Sequence, residues 1–144
     1  MTYLLDTHTC IKYLNGRSEN IRLNLESRNP VDIVLCSIVK AELYYGAMKS
    51  QNPEKTLTNV NRFLERFISL PFDDDASKAY GEIRAKLERK GTPIGPNDLL
   101  IAATALSSNI TLVTNNTREF GRIDGLKLED WEALSNHLSD ENGE

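Results

Sequence analysis

Three acids stand out because their neighbours are apolar: Asp6 in YLLDTHTCIKYL, Glu42 in SIVKAELYYGAMK and Asp98 in PNDLLIAATAL. An isolated buried charge is costly and usually acquires a partner, which here could be a helix N-terminus, a basic side chain or a metal. Each acid has a plain explanation of its own. Asp6 can be an N-cap, Asp98 a first-turn acid favoured by the helix dipole, and Glu42 can reach solvent or pair with a lysine. Taken together they are harder to set aside, because nothing comparably basic or His-rich accompanies them and clustered carboxylates repel one another. A hard cation would relieve that repulsion. Mg2+ or Mn2+ suits oxygen ligands, and Mg2+ commonly keeps water and substrate phosphate in its remaining positions.

The elements that position these acids can be read from pattern. Met1–Leu5 reads as a buried strand, and Asp6-Thr7 as the cap of a helix that stops at Asn15-Gly16. Ser18-Glu19 opens a second helix through Leu25, Pro30 breaks the chain, and Val31–Cys36 is a short β-branched strand. Ser37 then caps a helix to about Ser50, in which Glu42 lies near the inward face, between Ile38 and Tyr45 on the helical period. Pro53 starts a helix with Leu57, Val60, Phe63, Leu64 and Phe67 on one face, and Ile68–Phe72 reads as a strand. Asp74–Lys90 is an amphipathic helix closed by Gly91, and GTPIGPND is a loop. Asp98–Ser107 is a nearly all-apolar helix with Pro96 suited to its first position. ITLVT is a strand, NNTREFG a turn or short helical piece, LKLEDW a last strand anchored by Trp131, and LSDENGE an acidic tail.

Strands alternating with helices predict βαβ crossovers: an α/β, three-layer α/β/α sandwich around a mainly parallel sheet. Ligands in open sheets of this kind sit beyond the carboxyl ends of the strands. Asp6 follows the first strand, and Thr114 and Asn116 follow the ITLVT strand, so both ends belong on one rim.

At 144 residues the chain is expected to form one domain, residues 1–132, followed by the tail 133–144. No apolar run approaches the roughly 20 residues that span a bilayer, and no leader pattern opens the chain. Cys10 and Cys36 form no CxxC pair, so a reduced, cytoplasmic protein is the expectation. The formal net charge of −4 argues against a broad non-specific nucleic-acid coat but leaves room for a local basic rim. No Ser-His-Asp or Cys-His arrangement suggests covalent catalysis. DTH is not a DxD pair, and no Gly-rich phosphate loop is present, which speaks against a phosphatase or phospho-acceptor domain.

YLLDT, SIVKAELYYGA, PNDLLIAATAL and LVTNNTREF, in that order, resemble the PIN-domain family, and within it the VapC-type toxins of bacterial type II toxin–antitoxin pairs. The resemblance runs from Met1 to Trp131. It implies a Mg2+-dependent endoribonuclease, with Mn2+ able to substitute, in which Asp6 and Asp98 are the primary metal ligands and Glu42 binds through water or holds a second ion. The implied reaction is hydrolysis of RNA phosphodiester bonds, leaving 5′-phosphate and 3′-hydroxyl ends. The fourth acidic position departs from the family: Asn116 stands where many relatives carry Asp, and Glu119 is the alternative source of charge. Thr114 resembles the family hydroxyl that bonds an active-site carboxylate, although it can simply end a strand. His8 departs from the Asn common in such toxins and reads as a tolerated neighbour, and His137 reads as a solvated bystander.

An acidic centre repels RNA, so cations must attract the backbone around it. Lys12, Arg17, Lys40, Lys49, Arg84, Lys86, Arg89, Lys90 and Arg118 are candidates, with a solvated surface the simpler reading for most. Arg118 is singled out by its place in the turn beside the site. The resemblance further implies tRNA as substrate, including the anticodon region of initiator tRNA, a second copy of the chain as dimer partner, and a VapB-type antitoxin in a higher assembly. The antitoxin's C-terminal segment would lie along the active-site groove, with an arginine drawn to the acids. The alternative function is a catalytically weak PIN-like module that binds RNA or protein. Asn116 favours that alternative, and the retained Asp6, Glu42 and Asp98 oppose it.

Overall fold

The computed structural model describes residues 1–133. His137 and nearly all of the acidic tail lie outside them. Five parallel strands form one sheet in the order β3-β2-β1-β4-β5. Strand β1 is Tyr3–Leu5, followed by α1 (Thr7–Leu14) and α2 (Glu19–Glu26). Strand β2 is Ile33–Cys36, followed by α3 (Ser37–Met48) and α4 (Pro53–Leu64). Strand β3 is Ile68–Leu70, followed by α5 (Asp74–Arg89) and α6 (Pro96–Ser107). Strand β4 is Thr111–Val113, α7 is Thr117–Phe120 and β5 is Leu128–Glu129.

This order determines where a ligand can sit. From β1 the chain winds outward to β2 and β3, then returns across the sheet to β4 and winds the opposite way to β5. Right-handed crossovers therefore put α1 to α4 on one face and α5 to α7 on the other. Packing follows suit, with α1, α2, α3 and α4 against one another and α5 against α6. The reversal falls between β1 and β4, the pair whose carboxyl ends open a crevice.

Local chemistry sets the boundaries. Asp6 caps α1 by accepting the Thr9 N–H at 2.9 Å, and Gly16, at φ 63°, follows the helix in the left-handed region. Ser18 caps α2, and Asp73 caps α5. Several boundaries differ from expectation. Val31 and Asp32 lie in a 3-10 turn begun by Pro30, because Asn29 caps that turn through the Val31 N–H and Pro30 occupies its first position. Ser37 is not the cap of α3 but its first residue; Cys36 holds the cap position without a side-chain bond, and the helix ends at Met48. Helix α6 begins at Pro96, two residues before Asp98. Phe67 is buried beyond the end of α4, Phe72 lies outside β3, and LKLEDW contributes only Leu128–Glu129 to the sheet.

Leu4, Leu5, Leu35, Ile101 and Leu112 are fully buried, so the central strands and α6 form the middle of the core. Trp131 lies beyond β5 and is held there by an edge contact with Tyr3, by the Arg28 guanidinium 4.5 Å from its ring centre, and by Asn24 donating to its carbonyl. Among the described residues no helix is long and apolar enough to cross a membrane.

Candidate active site

The acids lie around the crevice between β1 and β4, near enough for the other three to act on the charge of Asp98. Asp6 leaves the end of β1, its backbone N–H bonded to the Val113 carbonyl of β4 at 3.0 Å, and its side chain is buried. Glu42 comes from the second turn of α3 on one face, and Asp98 from the first turn of α6 on the other. Glu119 comes from α7, just past β4.

The three predicted acids act on one another. Burial pushes the Asp98 carboxyl above its ordinary range, and the charges of Asp6, Glu42 and Glu119, in that order, push it further. His8 opposes the rise and is the smallest of these influences. The position near the N-terminus of α6 favours the anion, yet burial and like charge prevail. Among the described residues none of these four acids forms a salt bridge.

Neutral donors hold the acids instead. The Thr7 hydroxyl donates to Glu42 Oε1, and Asn97 Nδ2 donates to Glu42 Oε2 at 3.3 Å. Asn116 Nδ2 donates to Glu119 Oε2 at 2.8 Å. The two candidates for the fourth position, Asn116 and Glu119, are thus joined by a hydrogen bond. Thr7 and Asn97 were not foreseen as supports of Glu42. Thr7 reads as a cap residue, but Asp6 takes that role and frees the Thr7 hydroxyl to cross to α3. Thr114 directly follows β4, and its buried hydroxyl accepts the Asn116 N–H at 3.0 Å. It shapes the turn that carries Asn116.

Of the proposed cations, Arg118 is exposed in α7 beside Glu119. Lys12 is bonded to Glu132 at 2.6 Å, and Glu132 also accepts from Asn115, so Lys12 braces the turn after β4 rather than standing free. Arg84 pairs with Glu88, and Lys49 lies over the Tyr45 ring. Lys40 is half-buried. Cys10 and Cys36 are buried and free, and burial pushes both thiols up, which leaves them poor nucleophiles.

Oxygen-only donors, mutual repulsion and no cationic partner fit a hard divalent cation. Among the described residues no three His, Cys, Asp or Glu side chains stand close enough to cage an ion directly.

Comparison with known proteins agrees with this geometry. The PIN domain family model matches residues 3–126. The chain is 44% identical over 131 residues to the tRNA(fMet)-specific endonuclease VapC of Salmonella typhimurium, covering 91% of this chain and 98% of that protein. It is 44% identical over 134 residues to Ribonuclease VapC2 of Rickettsia felis, covering 92% and 99% respectively. Among solved structures, the DNA-bound VapBC from Salmonella typhimurium superposes with a TM-score of 0.86 at 44% identity, covering 91% of this chain and 98% of that one.

Proposed function

The chain belongs to the PIN-domain family, and from that premise we propose that it is the VapC-type toxin of a type II toxin–antitoxin system, an endoribonuclease dependent on Mg2+ or Mn2+. One observation carries the reading: four acids from four separate elements converge at the β1/β4 crevice, and the charge of Asp98 is resisted by the other three. Asp6 and Asp98 would hold the ion, with Glu42 reaching it through water or holding a second one. When bound, the ion supplies positive charge against the phosphate and makes a nearby water more acidic. The chain's own residues do the rest. Thr7 and Asn97 aim Glu42 by donating to its two oxygens, and Asn116 does the same for one oxygen of Glu119. Asp6, locked by the cap of α1, is the rigid member. Arg118 would meet the phosphate backbone of the incoming RNA.

The substrate would be tRNA, with initiator tRNA first to be tried because of the relatives' specificity. The VapB-type antitoxin would occupy the apolar groove of about 690 Å³ lined by Ile11, Leu14, Leu43, Ala47 and Val60, with Glu42 in its wall. An arginine of that partner could then pair with Glu42. Tyr44, Tyr45 and Met48, exposed on α3, support a homodimer. An RNA substrate and an antitoxin partner would suit a cytoplasmic protein.

The test is cleavage of initiator tRNA by purified protein. We expect cleavage with Mg2+ or Mn2+, none with chelator, and none from a folded Asp98→Asn variant. Cleavage that survives both chelation and this substitution overturns the reading.

A further inference from the structure

We infer that the cleft between α5 and the segment after α7 is a second docking site on this chain, one that takes the phosphodiester backbone of the RNA flanking the cut. The inference rests on the ribonuclease reading and adds to it a place where the substrate is held.

The cleft has a volume of about 530 Å³, large enough for a nucleotide rather than only a small ion. Its floor is apolar, from Ile83, Leu87 and Ile123, and its rim carries Lys86, Arg89, Lys90 and Arg122 against Glu82 and Asp124. Four cations against two acids is a local excess of positive charge on a chain whose net charge is −4.

The cations are available. Lys86 and Lys90 share one acid, Asp124, at 3.5 and 3.9 Å, and all three side chains are exposed. Such exposed pairs contribute little, so a phosphate can replace the carboxylate at small loss. Among the described residues Arg89 forms no ion pair, and Arg122 spends one N–H on the Pro93 carbonyl at 3.4 Å. A guanidinium has five N–H donors, so most of Arg122 remains for a ligand.

The cleft also adjoins the acids. Arg122 is three residues past Glu119, so their Cα atoms are at most about 11 Å apart. Pro93, which Arg122 grips, lies in the loop leading into α6 and Asp98. One strand of RNA can therefore lie in the crevice and in the cleft at once. The apolar groove beside α3 has the opposite character. Arg22 and Glu42 are its only charged lining residues, which suits a peptide and not a polyanion.

The test uses Lys86→Ala/Arg89→Ala and, as a charge-matched control away from both sites, Lys55→Ala/Lys78→Ala. Cleavage of initiator tRNA should show a several-fold rise in KM for the cleft variant, with kcat within about twofold, and neither change in the control. Binding of labelled tRNA to Asp98→Asn protein, with and without the cleft substitutions, reads the same site without turnover. Losing two phosphate contacts should flatten the dependence of log Kd on log salt by roughly 1.4 to 1.8. Unchanged Kd and salt dependence overturn the inference, as does an equal loss in the control. A variant that keeps its tRNA affinity but binds an antitoxin peptide less well assigns the cleft to an acidic peptide and overturns it too. If the wild-type protein cleaves no RNA, the function reading fails, and the binding titration still decides the cleft.

Discussion

Glu42 and Asp98 are both half-buried acids, brought to one crevice from opposite faces of the sheet, and their surroundings treat them differently. Both oxygens of Glu42 accept hydrogen bonds from neutral donors, Thr7 and Asn97. Asp98 accepts no side-chain hydrogen bond among the described residues, and its charge is resisted by burial and by three other acids. A carboxylate that accepts bonds on both oxygens keeps its aim; one that is desolvated and repelled gains most from an added cation. The first is a fixed part of the frame, and the second is where an ion changes the energy most.

Removing the second should therefore have the largest effect. Asp98→Asn is expected to lower RNA cleavage by more than about 100-fold, beyond the usual loss from a residue that only supports a ligand. The same change should stabilise the metal-free fold, because it deletes a resisted charge. Asp98 has its pKa raised on folding, so the folded state binds the proton more tightly than the unfolded state does. Metal-free wild-type protein should then lose stability as pH rises from the ordinary carboxylate range through the raised value, with the loss complete above it. Denaturant melts from pH 4 to 8 check this: the wild-type curve should fall in that window and the Asp98→Asn curve should fall less. Mg2+ should raise the wild-type Tm at neutral pH and leave the variant nearly unmoved. Equal Mg2+ shifts in the two proteins would break the contrast.

Thr7→Val and Asn97→Ala probe the fixed acid and should act more gently. Each removes one donor from Glu42 and leaves its charge in place. Losses of about 10-fold, up to 100-fold for the double variant, are the scale for residues that orient a ligand. Thr7→Ser should recover most of the activity, because the hydroxyl and not the methyl reaches Glu42. Equal activity in Thr7→Val and wild type would mean that Glu42 needs no orienting.

The contrast between the two acids was only half visible in the sequence. That Asp6, Glu42 and Asp98 share a rim follows from strand–helix alternation, since each acid sits at a place that parallel topology sends to the carboxyl ends. Which donor serves which acid depends on how α1 crosses α3 and on how the loop before α6 presents Asn97, and neither angle is written in local pattern. Thr7 and Thr114 show this well. Both are threonines beside strand ends, and the one that bonds a carboxylate is the one that reads as a cap. At Val31-Asp32 β-branched composition suggests a strand, but Pro30 and the Asn29 side chain turn the backbone first. The cationic cleft was partly legible, as Lys86, Arg89 and Lys90 recur on one helix. Arg122 joins them only because the chain folds back after α7.

Asn116 offers the finest test of what separates a held acid from a repelled one. Its amide donates to Glu119, much as Asn97 donates to Glu42. Asn116→Asp replaces that donor with another negative charge, so Glu119 passes from the held class toward the repelled one, and Asp98 faces one more like charge. The lost hydrogen bond alone should lower metal-free stability by about 1 kcal/mol. Added Mg2+ should recover the loss, since a fifth carboxylate attracts the same ion that the others do. Chemical unfolding of the two proteins with and without Mg2+ reads both quantities. A loss that Mg2+ does not recover would place Asn116 outside the ion's reach, as a support of the α7 turn alone. No loss at all would mean that the amide does not hold Glu119.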